Sequence, residues 1–271
     1  MSRLLESDID LIETQLQDYE DLFIRQTGCT MEEIAQKAVG LTVNSKRVKT
    51  AVISVTSGLG MITGFSQAVG AILRHLRVET LIGEKTDVAG LQQAYLSKCG
   101  IAFLADDYVC AALGIGSAVH SDNGWATGRG FAAAIIEAMR KQGINPLQER
   151  VLIIGAGPVG EAAAHYIAEQ QGIPVICDLD DNKAASLAAT LDQSAWVSAP
   201  APIRQFTYII DAGTTGDFIT AEDFTEKTIL AAPGMPCGAT VAAREKAMVI
   251  HNPLELGIIT MYFDCLKQLE D

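Results

Sequence analysis

Three glycines and one aspartate carry the first chemical expectation for this chain. Gly155, Gly157 and Gly160 stand in the spacing G-x-G-x-x-G, within Gly155-Ala156-Gly157-Pro158-Val159-Gly160. The apolar run Val151-Leu152-Ile153-Ile154 before them reads as a buried parallel strand, and Glu161 to Ala168 after them as a helix. Each glycine then has its own task in a dinucleotide site. Gly155 permits a tight strand-to-helix turn, Gly157 lets the backbone approach a pyrophosphate, and Gly160 lets helix and strand pack closely. The exposed backbone N–H groups of the turn and the positive helix end would receive the pyrophosphate. The next strand, Pro174-Val175-Ile176-Cys177-Asp178, ends in a carboxylate eighteen residues after Gly160. That is where such a unit places the acid that accepts hydrogen bonds from the adenosine ribose hydroxyls. A carboxylate repels a 2′-phosphate, and Leu179-Asp180-Asp181 follow it rather than an Arg, so NAD is expected over NADP. The plainer alternative is a glycine-rich α/β turn that holds no cofactor.

A second set of candidates lies upstream, at ends of strands. Ser57-Gly58-Leu59-Gly60 follows the apolar strand Thr50–Val55 and precedes a helical stretch. Its N–H groups, the Ser57 hydroxyl and the helix dipole could cradle a carboxylate; they could equally form a plain capped turn. Asp106-Asp107 closes the strand Ile101–Ala105. A carboxylate there could hold an ammonium or accept a proton during hydride transfer, or it could cap a helix, and spacing does not choose between Asp106 and Asp107. Asn123-Gly124 is either a turn pair or a substrate amide contact. His75, His120, His165 and His251 pair with no Ser or Cys at a recognisable spacing, so no general-base histidine is assigned. The six cysteines form no C-x-x-C and no zinc-like spacing, and no metal is expected.

The elements that must position these groups read as two α/β units. Ser7 to Arg25 is an amphipathic helix, and Thr30-x-x-Glu33 is a capping box opening a second helix through Val39. Strands at Thr50–Val55, Glu79–Ile82 and Ile101–Ala105 alternate with helices at Ile62–Leu76 and Val88–Lys98. This rhythm predicts an N-terminal α/β substrate domain, residues 1–142, a three-layer unit around a small parallel sheet. Gly114 to Gly130 reads as mostly loop, before a helix from Thr127 to Gln142. Residues 143–252 form a Rossmann NAD-binding domain, with a helix at Asp181–Leu191 and further strands at Thr207–Asp211, Thr228–Ala232 and Ala247–Ile250. Residues 253–271 form a C-terminal helix packing back towards the N-terminal domain. Ligands of open parallel sheets lie beyond the carboxyl ends of the strands. Asp211 and Ala212, and Pro233 and Gly234, should therefore border the cofactor, the latter pair near the nicotinamide.

The 271 residues carry a net charge of −13 with a pI near 4.7, and 49% are hydrophobic. There is no Lys/Arg cluster, which makes nucleic acid and anionic membrane poor partners. An acidic field suits a cationic small molecule such as a diamino acid. Neither a long apolar N-terminal region nor a run of about 18 apolar residues occurs, so a soluble, cytoplasmic protein is expected.

Taken in order, Val55-Thr56-Ser57-Gly58-Leu59-Gly60-Met61-Ile62, Ala105-Asp106-Asp107, Asn123-Gly124, the Gly155 turn, Ala232-Pro233-Gly234-Met235-Pro236-Cys237 and Pro253-Leu254-Glu255-Leu256-Gly257 resemble the pyrrolysine synthases, the last enzymes of pyrrolysine biosynthesis. The likeness runs from the first helix to the last. It implies NAD-dependent oxidation of an amine on 3-methylornithyl-lysine, loss of ammonia and closure of a pyrroline ring. By motif it implies that Ser57, Asp106 and Asn123 touch this amino-acid substrate, that Asp106 rather than Asp107 is the catalytic candidate, and that the N-terminal helix, with Leu4 and Leu5, closes over it. One position departs from the family pattern: Asn252 stands where an acid precedes Pro-Leu, with Glu255 three residues on. A different small amino-acid or imino-acid dehydrogenase, and an NAD-sensing module without chemistry, are the alternatives.

Overall fold

The computed structural model describes residues 6–41, 46–59 and 62–270; Leu4 and Leu5 lie outside them. Two sheets organise the chain. The first contains β1 (Thr50–Ser54), β2 (Thr80–Ile82), β3 (Ile101–Ala105), β4 (Cys110–Gly114) and β5 (His120–Asp122), in the order β2-β1-β3-β4-β5. β2, β1 and β3 are parallel, as the βα rhythm predicts. β4 and β5 run antiparallel, so this sheet is mixed rather than wholly parallel. The added strands arise because the chain turns back directly after β3: Asp106 Oδ1 accepts from the N–H groups of Tyr108 and Val109, both at 2.8 Å. A carboxylate bonded to its own backbone two and three residues on closes a tight turn without a helix. Strand alternation sends Val52 and Phe103 towards α3 (Phe65–His75), and Ala51, Ile53 and Ala102 towards Ala94 of α4 (Asp87–Leu96).

The second sheet is entirely parallel. It contains β6 (Arg150–Ile154), β7 (Ile173–Cys177), β8 (Ala195–Trp196), β9 (Tyr208–Asp211), β10 (Ile229–Ala231) and β11 (Met248–Ile250), in the order β11-β10-β9-β6-β7-β8. The order reverses between β6 and β9, which is where a doubly wound sheet opens a crevice. α6 (Pro158–Glu169) and α7 (Asp181–Ala189) follow β6 and β7, and the short α8 (Val241–Lys246) precedes β11. The two-residue strand β8 has no clear signal in the sequence.

Four helices join the sheets. α1 (Ile12–Thr27) and α2 (Met31–Val39) come first, and the predicted capping box at Thr30 and Glu33 is formed. α5 (Asn123–Lys141) packs against α6, α9 (Glu255–Glu270) and α2. α5 starts four residues before the expected Thr127, inside the stretch expected to be loop. Its glycines serve contact: a Cβ on Gly128 would lie 2.2 Å from the Val159 carbonyl oxygen, and one on Gly130 2.7 Å from Thr260 Oγ1. Asp122 opens the helix by accepting from the N–H groups of Gly124 and Trp125. The last helix is buried from Glu255 to Leu266 and packs on α2, α3, α5, β4 and β5, towards the first sheet. Phe131, Ile135, Ile136, Met139, Tyr262 and Phe263 form the middle of this core, each fully buried and each contributing about 1.5–3 kcal/mol. Among the described residues, no helix is long and apolar enough to cross a membrane.

Candidate active site

The carboxyl ends of both sheets meet at one cleft of about 300 Å³. The glycine turn forms part of its wall. Gly155 has φ +100°, a conformation that side chains strongly disfavour. Gly160 is buried where α6 leaves the turn, and a Cβ there would sit 1.8 Å from the Gly155 carbonyl oxygen. Gly157 faces open space with nothing within 4 Å, and no side chain caps α6. Gly157, Pro158 and Val159 all line the cleft. An uncapped helix start beside a glycine with clearance is the cradle a pyrophosphate requires. Asp178 closes the back of the turn: its carboxylate accepts from Ala156 N–H at 2.8 Å and from Asp180 N–H at 2.9 Å. Partial burial opposes its charge, yet these bonds and Lys183 hold its pKa below the usual carboxylate value. The nearby Lys183 had no place in the sequence reading of this corner.

Across the switch point, Ala212, Gly213 and Thr214 follow β9, and Pro233, Gly234 and Met235 follow β10; all line the cleft. Asp211 does not. Its carboxylate is fully buried and accepts from Gly213 N–H at 3.1 Å and Gly238 N–H at 3.0 Å. Asp211, expected to border the cofactor, thus lies behind the wall that its neighbour Ala212 lines, because both carboxylate oxygens are turned inward. Burial pushes the Asp211 pKa up to about 6, against the lowering effect of the two N–H donors.

Side chains dominate the opposite wall. Asp106 and Asp107 both reach the cleft from the end of β3. Neither caps a helix. The N–H groups of Val109 and Tyr108 hold the Asp106 carboxyl below its usual range, while Asp107 Oδ2 accepts from Leu59 N–H at 2.5 Å and so fastens the loop after β1. The same loop is held at Thr56, whose N–H and hydroxyl donate to Asp87 at 2.9 and 2.8 Å. Ser57 in this loop is exposed and stands outside the lining. Two serines that the sequence reading passed over do line it: Ser54 and Ser66, with their hydroxyl oxygens 2.9 Å apart. Ser54 ends β1, and its strand-end position was the available signal. Asn123 is no turn residue; it begins α5, faces the cleft and accepts at Oδ1 from the Thr127 hydroxyl, 3.2 Å away. Asn252 is buried, donating to Tyr19 Oη at 2.8 Å and accepting from Leu256 N–H at 3.2 Å. Glu255, three residues on, is buried outside the lining, and burial raises its pKa. The described lining residues include no Lys, Arg or His. Among the described residues, no group of three or more His, Cys, Asp or Glu could hold a metal ion.

A parallel six-stranded sheet with a glycine turn at its switch point defines the class: a Rossmann-type dehydrogenase fold. The structure is similar to quinate dehydrogenase from Corynebacterium glutamicum in complex with NAD (TM-score 0.54, 14% identity, 83% of this chain and 95% of that one). It is also similar to ligand-free 5-ketofructose reductase of Gluconobacter sp. strain CHM43 (TM-score 0.53, 16% identity, 83% of this chain and 100% of that one). The sequence adds a narrower likeness. Over 98% of its length the chain is similar to pyrrolysine synthase from Methanosarcina barkeri, at 25% identity across 98% of that protein. It is 26% identical to pyrrolysine synthase from Methanosarcina acetivorans over 98% of this chain and 100% of that one. Residues 8–120 match the family described as pyrrolysine biosynthesis protein PylD, N-terminal domain. The resemblance drawn from the ordered motifs is therefore borne out along nearly the whole chain.

Proposed function

We propose that this protein is an NAD-dependent amine dehydrogenase and cyclase that makes the pyrroline ring of pyrrolysine from 3-methylornithyl-lysine. The observation that carries the reading is the cleft itself: a dinucleotide-type glycine turn and two strand-end carboxylates line one cavity whose described walls hold no cationic side chain. Gly155, Gly157, Pro158, Val159 and Gly160 would hold the pyrophosphate, Asp178 the adenosine ribose, and Ala212, Pro233 and Gly234 the nicotinamide end. When bound, NAD supplies the two-electron oxidation by accepting hydride from the amine-bearing carbon.

Asp106 and Asp107 attract the ammonium of the substrate and orient it towards the nicotinamide side. An ammonium carbon does not release hydride, so one proton must leave first. Asp106, on the exposed rim and held below the usual carboxylate pKa, keeps its own charge and passes that proton to water. Asn123, Ser54 and Ser66 offer neutral hydrogen bonds to the rest of the substrate, while Ser57 stands outside the lining. Oxidation leaves an imine; the second amine adds to its carbon, ammonia leaves, and the pyrroline C=N closes. Apolar side chains from Ile62, Phe65 and Phe131 line the same cavity and limit hydrolysis of the imine by water.

Incubation of the purified protein with NAD and 3-methylornithyl-lysine should release one NADH and one ammonia per pyrroline product, followed by absorbance and mass spectrometry. A panel of other diamino acids should turn over more slowly. NAD binding without turnover of any amine would leave only a cofactor-binding module and defeat the proposal.

A further inference from the structure

We propose that Asp211 is a positioning residue: without touching the cofactor, it ties the turns after β9 and β10 into one wall for the nicotinamide end. The inference rests on the reading that the cleft binds a nicotinamide dinucleotide.

The geometry is that of a knot behind the wall. Oδ1 accepts from Gly213 in the turn after β9, and Oδ2 from Gly238, 27 residues away in the turn after β10. The carbonyl oxygen of the same residue accepts from Gly234 N–H at 3.1 Å. Two further bonds continue the join, from Asp217 N–H to the Cys237 carbonyl at 3.2 Å and from Ile219 N–H to the Gly238 carbonyl at 2.8 Å. The turns touch so closely that a Cβ on Gly234 would lie 2.2 Å from the Gly213 carbonyl oxygen. A Cβ on Gly238 would lie 2.2 Å from Asp211 Oδ2. On the other side of this backbone, Ala212, Gly213, Pro233 and Gly234 form cleft surface.

Closing one Asx turn needs one oxygen and would be satisfied by Asn. Here both partners are donors, and a carboxylate alone offers two acceptors without a donor. Asparagine would face one buried N–H with its own NH₂, leaving both unsatisfied. Burying the charge raises the Asp211 pKa to about 6; protonation would convert one acceptor into a hydroxyl. The groups facing this corner are the Cys237 thiol, itself pushed up by burial, and Asp217 and Arg244, which act on that thiol. His251 Nδ1 contacts the Ala232 carbonyl at the base of the second turn at 2.7 Å, and burial lowers its pKa.

The test is the dissociation constant of NADH and of NAD for the full chain, measured by calorimetry between pH 5.5 and 8, with circular dichroism on each sample. For wild type, affinity should weaken several-fold as pH falls through 6. Asp211→Asn should bind at least tenfold more weakly at pH 7.5 and lose most of that pH slope; whatever slope His251 contributes should persist. Gly238→Ala, which keeps the carboxylate and crowds its partner, should also weaken binding. In wild type, amide exchange at Gly213 and Gly238 should slow on NADH binding. If folded Asp211→Asn keeps wild-type affinity and slope while only its melting temperature falls, Asp211 is purely structural and the inference is overturned. If Asp211→Asn does not fold, wild-type affinity in Gly238→Ala together with unaltered amide exchange overturns it. Wild type that binds neither NAD nor NADP overturns the functional reading, and the inference with it.

Discussion

The two walls of the cleft recognise their ligands by different means. The wall beyond the second sheet presents backbone: uncapped N–H groups at the start of α6, a glycine with clearance at Gly157, and turns knotted from behind by a buried acid. The wall beyond the first sheet presents side chains, Asp106 and Asp107 with Ser54, Ser66 and Asn123. A backbone site is generic: it fits a pyrophosphate common to many dehydrogenases and selects no substrate. A side-chain site is particular, because each carboxylate or hydroxyl selects a matching group. Damage to the first wall should therefore abolish every activity together, and damage to the second should separate chemistry from cofactor binding.

The largest effect is expected from Gly160→Val. With only 1.8 Å between a Cβ and the Gly155 oxygen, a branched side chain must push α6 away from β6. Dinucleotide affinity should fall more than about 100-fold, and unfolding should cost about 1–3 kcal/mol less, the usual range for overpacking. Denaturant titration and calorimetry read both. Wild-type affinity in this variant would mean that the glycine turn is not the cofactor's seat.

Asp106→Asn comes next and tests the other wall. Loss of the charge should lower kcat/KM for the amine about 100-fold, within the range for a positioned acid or base, while NAD affinity stays within about twofold. Steady-state kinetics beside a cofactor titration separates the two. An equal loss in both would dissolve the division between the walls.

This division also explains what the sequence could convey. The glycine turn, the strand before it and Asp178 lie within 28 residues, and the close approach at Gly160 is to Gly155 of the same turn; spacing was enough to find them. Ser54, Asp106 and Asn123 come from the ends of β1 and β3 and the start of α5, and only the fold brings them together. Ser57 looked the better candidate because a Ser-Gly-Leu-Gly loop reads as a cradle, yet Ser54, three residues earlier, lines the cavity. Gly114 to Gly130 misled for a related reason. Its glycines allow α5 to touch α6 and α9, and a contact glycine cannot be told from a turn glycine without the partner helix. Asp211 was placed at the correct strand end, but strand position does not say which way a carboxylate points.

A smaller effect is expected at Asp178→Ala. Removing the bonds to Ala156 and Asp180 loosens the back of the glycine turn and removes the acceptor proposed for a ribose hydroxyl. NAD should bind about tenfold more weakly, the lower end for a lost charged hydrogen bond. Affinity for NADP should fall less or improve, since Lys183, already close enough to influence Asp178, would be left to meet a 2′-phosphate. Competitive titration of the two dinucleotides gives the ratio. An unchanged ratio would place the ribose elsewhere.

The smallest effect is expected at Asn252. Its amide bridges Tyr19 on α1 and Leu256 at the start of α9, so it fastens α1 to α9. In Asn252→Asp the Tyr19 hydroxyl can reverse its role and donate, while the carboxylate still accepts from Leu256 N–H; the bridge survives. The new acid is nevertheless buried close to Glu255, whose own pKa burial already raises. Its folded pKa should lie above its unfolded value, so its protonated form is favoured in the native state. Relative to the parent, stability should match at low pH and fall as pH rises through that folded pKa, by about 1–2 kcal/mol between pH 4 and 8. Chemical denaturation of both proteins at the two pH values measures the difference. A variant that gains stability with rising pH would indicate a nearby cation rather than Glu255 as the dominant neighbour. The amine wall would then be less uniformly acidic than its described lining suggests.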